Sequence, residues 1–150
     1  MGRIDMKRVV LGGLLAGLII NIGEFVLNMM VFEEQMTALM ARLNLPPVGG
    51  NAIAVFVVLG FVLGIASVWL YAAIRPRFGA GPRTALTAAV AAWLLAYLYP
   101  TVGAVVMGLF PAQMSAIALI WGLVEVVVAT VAGAYVYQEP AAAGRATARV

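Results

Sequence analysis

Four long apolar runs, separated by short breaks rich in glycine and proline, dominate the pattern of this chain. A helix needs about 20 mainly apolar residues to cross the hydrocarbon core of a bilayer. Four runs meet that length and predict transmembrane helices: 9–31, 52–74, 84–109 and 112–137. The breaks at 45–50, 75–82 and 108–111 carry turn residues, and Pro82 and Pro111 stand where a proline starts a helix well.

The one long connection between these runs, 32–51, has a helical pattern of its own. Its apolar residues recur at i, i+3, i+4 and i+7: Met36, Leu39, Met40 and Leu43. This spacing predicts a short amphipathic helix that lies on the membrane surface or caps the bundle. The segment 139–150 is rich in small residues, which predicts a disordered tail. We therefore predict an all-α fold: a four-helix transmembrane bundle over 1–138, with a short amphipathic helix in the first external loop.

Composition excludes several classes of protein. Of the 150 residues, 65% are hydrophobic and 10% are charged, against about 45–50% and about 25% in soluble domains. A soluble domain, a disordered chain and a nucleic-acid-binding module are therefore excluded. The chain has no cysteine and no histidine, which removes disulfides, thiol chemistry, the usual zinc sites and histidine-ligated haem. We expect no cofactor and no nucleic-acid partner.

The basic residues give the orientation. Only Arg42 falls on one side of the four predicted spans; the other eight fall on the opposite side: Arg3, Lys7, Arg8, Arg75, Arg77, Arg83, Arg145 and Arg149. Basic residues near span ends stay in the cytoplasm. We expect a multi-pass protein of a bacterial-type cytoplasmic (inner) membrane with both termini cytoplasmic. The first run contains Asn21 and Glu24 and lacks a small-x-small cleavage site, so we expect a retained helix.

Small residues recur at helical spacing along three of the runs and predict the packing faces of the bundle. The positions are Gly13 and Gly17 in the first run, Gly60, Gly64 and Ser67 in the second, and Ala118, Gly122 and Ala129 in the fourth. Small residues let transmembrane helices approach closely. The same faces are equally compatible with homo-oligomerisation.

A polar set falls inside the spans, at central to outer depth. It contains two carboxylic acids, two amides, four aromatic or hydroxyl side chains and no basic residue: Glu24, Glu125, Asn21, Asn28, Tyr97, Tyr99, Thr101 and Trp121. Charged groups at bilayer depth are costly, and they usually face the bundle interior and mark function. Pro100 removes a backbone hydrogen bond and predicts a bend beside this set. We predict that these eight side chains converge on one cavity open toward the outside.

The chemistry of this set favours cations or protons. Carboxylate, amide and carbonyl oxygens are hard ligands for metal cations, although the sequence leaves the existence of a metal site open. Buried carboxylic acids also exchange protons, as carriers do, and aromatic rings beside a carboxylate suit organic cations. The structural alternative is that protonated glutamates hydrogen-bond neighbouring helices and only hold the bundle together.

The span pattern, with the segments 21–24 (Asn-Ile-Gly-Glu) and 121–125 (Trp-Gly-Leu-Val-Glu), resembles small bacterial four-helix membrane proteins with no assigned activity. The chain also partly resembles the small multidrug resistance exporters, which have four spans and a membrane-embedded glutamate in the first. That resemblance implies an exporter-like role for Glu24. The present chain departs from it in its length, its long outer loop and its second glutamate, Glu125.

Three functions follow as hypotheses. The first is a carrier or channel component that moves a cation or cationic solute coupled to protons, with Glu24 and Glu125 as the binding groups. The second is a non-catalytic accessory or assembly subunit, whose glycine faces and outer loop bind a larger membrane complex. The third, a membrane enzyme, has only carboxylates and tyrosines for acid–base work, so we expect no enzyme. The partners expected are the lipid bilayer and either a second copy or a membrane complex.

Overall fold

The computed structural model describes residues 4–137, and within this range every regular element is helical. The α-helices in chain order are α1 (Met6–Val26), α2 (Glu33–Arg42), α3 (Gly50–Phe78), α4 (Pro82–Trp93), α5 (Tyr99–Val106) and α6 (Ala112–Val136). Two π turns complete the fold: Leu27–Val31 continues α1, and Leu94–Leu98 joins α4 to α5. The predicted tail 139–150 lies outside the described residues.

Four helical stretches are long and apolar enough to cross a membrane. They are Met6–Val31, Gly50–Phe78, Pro82–Val106 and Ala112–Val136. These match the four runs predicted from the sequence, with different ends. α3 continues through Pro76 to Phe78, where Gly79 adopts a φ of 87° and ends it. The third stretch ends three residues before the predicted 109.

Left-handed residues end the helices at one end of the bundle. After α5, Gly108 has a φ of 73°; its N–H donates to the carbonyl of Val105, and the N–H of Leu109 donates to Ala104, both at 2.9 Å. This is the Schellman arrangement, in which a left-handed residue satisfies the last carbonyls of a helix. After α2, Asn44 does the same with a φ of 53°. These caps fix where the chain reverses.

The core lies where α1 packs between α3 and α6. A Cβ on Gly64 would meet the backbone of Gly17 and of Gly13, and one on Gly12 would meet the carbonyl of Gly133. Such close backbone approach is typical of small residues at membrane helix interfaces. The predicted Gly13 and Gly17 thus face α3, whereas α1 meets α6 through Gly12, which was not on the predicted face.

The short helix α2 lies over one end of the bundle. Leu39 is buried, and Met36 packs on a small cluster formed by Leu27, Phe32 and Met114. At the end of α2, the guanidinium of Arg42 donates hydrogen bonds to the carbonyls of Leu109 and Gly108, at 2.8 and 3.3 Å. We call this the distal end, and the end that carries residue 4 and Tyr137 the terminal end.

Candidate functional site

The site begins with an irregularity in the third long helical stretch. The π turn Leu94–Leu98 ends two residues before Pro100. Proline has no N–H, so the carbonyl of Ala96 cannot receive its usual i+4 donor. A π turn adds a residue to one helical turn and changes which face the following side chains occupy. Tyr97 lies within this turn, which directs its side chain toward α1 and α6.

Tyr97 contacts the carboxyl groups of both Glu24 and Glu125. Its hydroxyl oxygen lies 3.0 Å from Oε1 of Glu24 on α1 and 3.0 Å from Oε1 of Glu125 on α6. The outer oxygen of each carboxyl accepts from a neighbour on its own helix. Nδ2 of Asn28 donates to Glu24 at 3.0 Å, and Nε1 of Trp121 donates to Glu125 at 3.2 Å. We call these five side chains the carboxyl cluster.

The two contacts of Tyr97 require that one of the two glutamates carries a proton. A phenol carries one hydrogen, so Tyr97 can donate to only one of the two carboxyl oxygens that it contacts. Both contacts are hydrogen bonds only if the other carboxyl is protonated and donates to the phenol oxygen. The proton then lies on the Oε1 of either Glu24 or Glu125, because these two oxygens face Tyr97 while each Oε2 accepts from an N–H. The geometry is that of two carboxyls sharing one proton through a phenol.

No basic side chain balances the cluster among residues 4–137. The ion pair between Arg8 and Asp5 lies at the start of α1, about 24 Å along the helix from Glu24 at 1.5 Å per residue. Glu125 is 7% exposed, and Glu24 is half-buried. A cation or a proton is therefore what would neutralise the pair when both are ionised.

Two glycines make room for the cluster. A Cβ on Gly23 would collide with the carboxylate of Glu125, and a Cβ on Gly122 would lie 2.5 Å from Cδ1 of Tyr97. Each glycine lies within a helix and faces a side chain of the carboxyl cluster, so the absence of its side chain leaves space for that group. Gly122 was predicted from the sequence to lie on a packing face, whereas Gly23 was not predicted to have a role. The position of Gly23 directly before Glu24 could have indicated that it lies beside the site.

The other predicted site residues lie elsewhere. Asn21 faces α3: its Nδ2 donates to the carbonyls of Gly17 and Val57, at 2.8 and 3.2 Å. Tyr99 is 80% exposed and turned away from the cluster. Thr101 is half-buried on α5, with no side-chain hydrogen bond to the cluster. Of the eight residues, the structure brings together Glu24, Asn28, Tyr97, Trp121 and Glu125.

Their separation has a physical cause. Asn21 and Glu24 are three residues apart on α1, so their side chains can contact two different neighbouring helices. Gly60 on α3 leaves the space that the amide of Asn21 fills. Tyr99 follows Tyr97 by two residues, which places it across the helix. One further residue was missed: Nε1 of Trp93 donates to the carbonyl of Leu119 at 3.0 Å and ties α4 to α6 beside the cluster.

The carboxyl cluster holds two acidic side chains, Glu24 and Glu125. Over the described part of the chain, no three acidic, histidine or cysteine side chains lie together as metal ligands. Two carboxyls, one phenol and two N–H donors remain. Comparison of the chain with protein families, curated proteins and solved structures finds no match.

Proposed function

We propose that this protein is a multi-pass inner-membrane protein that binds a cation or a cationic solute in exchange for protons at the carboxyl cluster. The observation that carries the proposal is the contact of one phenol, Tyr97, with two carboxyls that have no basic partner in the described chain. The bias of the basic residues supports cytoplasmic termini. This orientation places the distal end and α2 outside.

The exchange follows from the hydrogen count. With one proton, Glu24 and Glu125 are both hydrogen-bonded through Tyr97. Without it, two carboxylates compete for a single phenol hydrogen in a medium that screens charge poorly. A bound cation offsets that repulsion, and a returning proton displaces the cation. The rings of Tyr97 and Trp121 beside the carboxyls suit an organic cation, and the partial likeness to small multidrug resistance exporters agrees with Glu24 in such a role.

The test is coupled transport by the purified protein in liposomes. Tetraphenylphosphonium serves as the organic cation and Na⁺ as the inorganic one, with an imposed pH gradient. We expect the native protein to move one of them against its gradient. Glu24→Gln and Glu125→Gln should each reduce the flux at least about tenfold, because a carboxamide does not ionise near neutral pH. Tyr97→Phe removes the shared phenol and should also uncouple the flux.

Glu33→Gln is the matched control, since Glu33 is an exposed glutamate in the first turn of α2. It should keep full flux. Equal flux in all four variants, or no coupled movement by the native protein, would overturn the proposal and leave the carboxyl cluster as a link between helices.

A second candidate function is that of an accessory or assembly subunit of a larger membrane complex. One observation favours it: residues 50–59, the first part of α3, are exposed on every face, and most of them are apolar. An apolar helical segment that its own chain leaves uncovered is available to a partner. Isolation from native membranes in mild detergent tests this function. A partner held at fixed stoichiometry, and lost when Val58 is replaced by Trp, would support it.

A further inference from the structure

A cavity separate from the carboxyl cluster opens at the terminal end of the bundle. Its volume is about 310 Å³, and its walls come from the last turns of α3, the α3–α4 loop, the start of α4 and the last turns of α6. The walls include Tyr71, Arg75, Gly81, Ala134 and Tyr135. Ala134 is nine residues after Glu125 on α6, about 14 Å along the axis. The proposed proton exchange does not use this space.

The polar groups in the walls are donors. Arg75 brings a permanent positive charge, and its guanidinium lies 5.8 Å from the ring centre of Tyr137, which holds it beside the cavity. The Tyr71 hydroxyl accepts from the N–H of Gly81 at 3.3 Å, and its own hydrogen remains for donation. Tyr71 is also fixed edge-on against Tyr137, with the ring centres 6.0 Å apart. Fixed donors around a cationic side chain suit an anion.

The surroundings add to the positive potential. Arg77 and Arg83 flank the same loop and are exposed. α4 starts at Pro82 without a side-chain cap, so its positive dipole end adds to the charge of Arg75. No acidic side chain is among the residues that line the cavity. Its wall is completed by Tyr135, which is 69% exposed on the outside of the bundle.

We propose that this cavity binds the phosphate group of an anionic phospholipid, with Arg75 as the charged partner and Tyr71 as a hydrogen-bond donor. Basic pockets between transmembrane helices on the cytoplasmic side take anionic lipid head groups, and arginine pairs with phosphate through two parallel hydrogen bonds. The lipid tails lie along the apolar outside of α6, beside Tyr135. The site is independent of the carboxyl cluster and of its proposed function.

Native mass spectrometry of the full chain tests this site. Phosphatidylglycerol and phosphatidylcholine with identical acyl chains are the lipid probes, and inorganic phosphate is the soluble probe. We expect phosphatidylglycerol to be retained in preference to phosphatidylcholine. Arg75→Gln should lower that preference at least about tenfold, because the hydrogen bonds between the charged guanidinium and the phosphate are lost. Arg77→Gln, the exposed arginine two residues further on, is the matched control and should change the preference far less, because Arg77 does not line the cavity.

A second variant keeps the charge and fills the space. Ala134→Leu places a larger side chain in the cavity wall, and it should lower lipid retention with Arg75 intact, while circular dichroism and gel filtration report folding. Full retention in a folded Ala134→Leu would overturn the site. Equal losses in Arg75→Gln and Arg77→Gln would show diffuse surface charge instead. Arg75-dependent binding of inorganic phosphate without any preference for phosphatidylglycerol would overturn the lipid assignment in favour of a soluble anion.

Discussion

Replacing Gly23 with alanine tests the carboxyl cluster without changing any titratable group. Gly23 lies on α1 one residue before Glu24. The added Cβ would overlap the Glu125 carboxylate and would lie 2.7 Å from its Cδ and 3.1 Å from its Cγ. Glu125 would have to rotate away, because α1 is held by the backbone contacts of its other glycines. Its hydrogen bonds to Tyr97 and Trp121 would then be lost.

The size of the effect follows from three contributions. Overpacking a buried site costs about 1–3 kcal/mol. Hydrogen bonds between membrane helices contribute about 0.6 kcal/mol each on average and up to about 1.7. The change from glycine to alanine within a helix returns about 1 kcal/mol. We expect a net loss of about 1–5 kcal/mol in the free energy of unfolding, or about 2–20 °C in Tm for a chain of this size.

The measurement is thermal unfolding in detergent micelles, followed by circular dichroism. The matched control is Gly103→Ala. Gly103 is also a helical glycine, but nothing lies within 4 Å of a Cβ placed there, so this variant should be as stable as the native protein or more so. If Gly23→Ala unfolds at the native temperature, Glu125 does not lie over Gly23, and the geometry of the cluster is wrong.

Three further substitutions test the rest of the fold, each by the same thermal measurement. Arg42→Gln should lower the Tm by a few degrees and loosen α2, because the 2.8 Å hydrogen bond to the carbonyl of Leu109 is lost. Limited proteolysis by chymotrypsin at Leu43 should then be faster. Trp93→Phe should cost about 1 kcal/mol through its lost hydrogen bond to Leu119. Gly64→Ala should be the most damaging, at about 3 kcal/mol or more, because its Cβ meets rigid backbone on α1.

Each of these substitutions has a control of the same type. Arg77→Gln removes an exposed arginine at the other end of the bundle, Trp69→Phe changes a tryptophan that is 46% exposed, and Gly50→Ala adds a Cβ with nothing within 4 Å. All three should unfold near the native temperature. If a control lowers the Tm as much as the substitution that it is paired with, the effect comes from the type of residue replaced and not from the contact described.

The four long helices could be predicted because their signal is strong and local. Each is a run of more than 20 apolar residues between glycine and proline breaks, and the length alone separates such runs from strands. The spacing of Met36, Leu39, Met40 and Leu43 similarly indicated a helix, which the structure has at Glu33–Arg42. The end of α3 was harder, because Pro76 usually marks a boundary and here lies inside the last turns.

The polar site was predictable only in outline. The stripe of Glu24 and Asn28, and the depth of Glu125 and Trp121, follow from regular helical spacing, and these residues meet in the structure. The choice between Tyr97 and Tyr99 depends on the π turn at Leu94–Leu98, and no residue type in that turn announces it. The position of Asn21 could not be predicted, because it depends on which helix packs against α1 beside that residue. This is a property of the packed bundle and not of the local sequence.

The π turn at Leu94–Leu98 also determines how relatives of this chain should be compared with it. The turn holds one residue more than an ordinary turn of the helix. The face on which Tyr97 lies therefore cannot be obtained by counting regular helical turns from the residues before it. A homologous chain that keeps both glutamates, the tyrosine and the π turn but lacks one residue between Pro82 and that turn would rotate the phenol by about 100° around the helix. Conservation of the carboxyl cluster must therefore be judged by residue spacing as well as by residue identity.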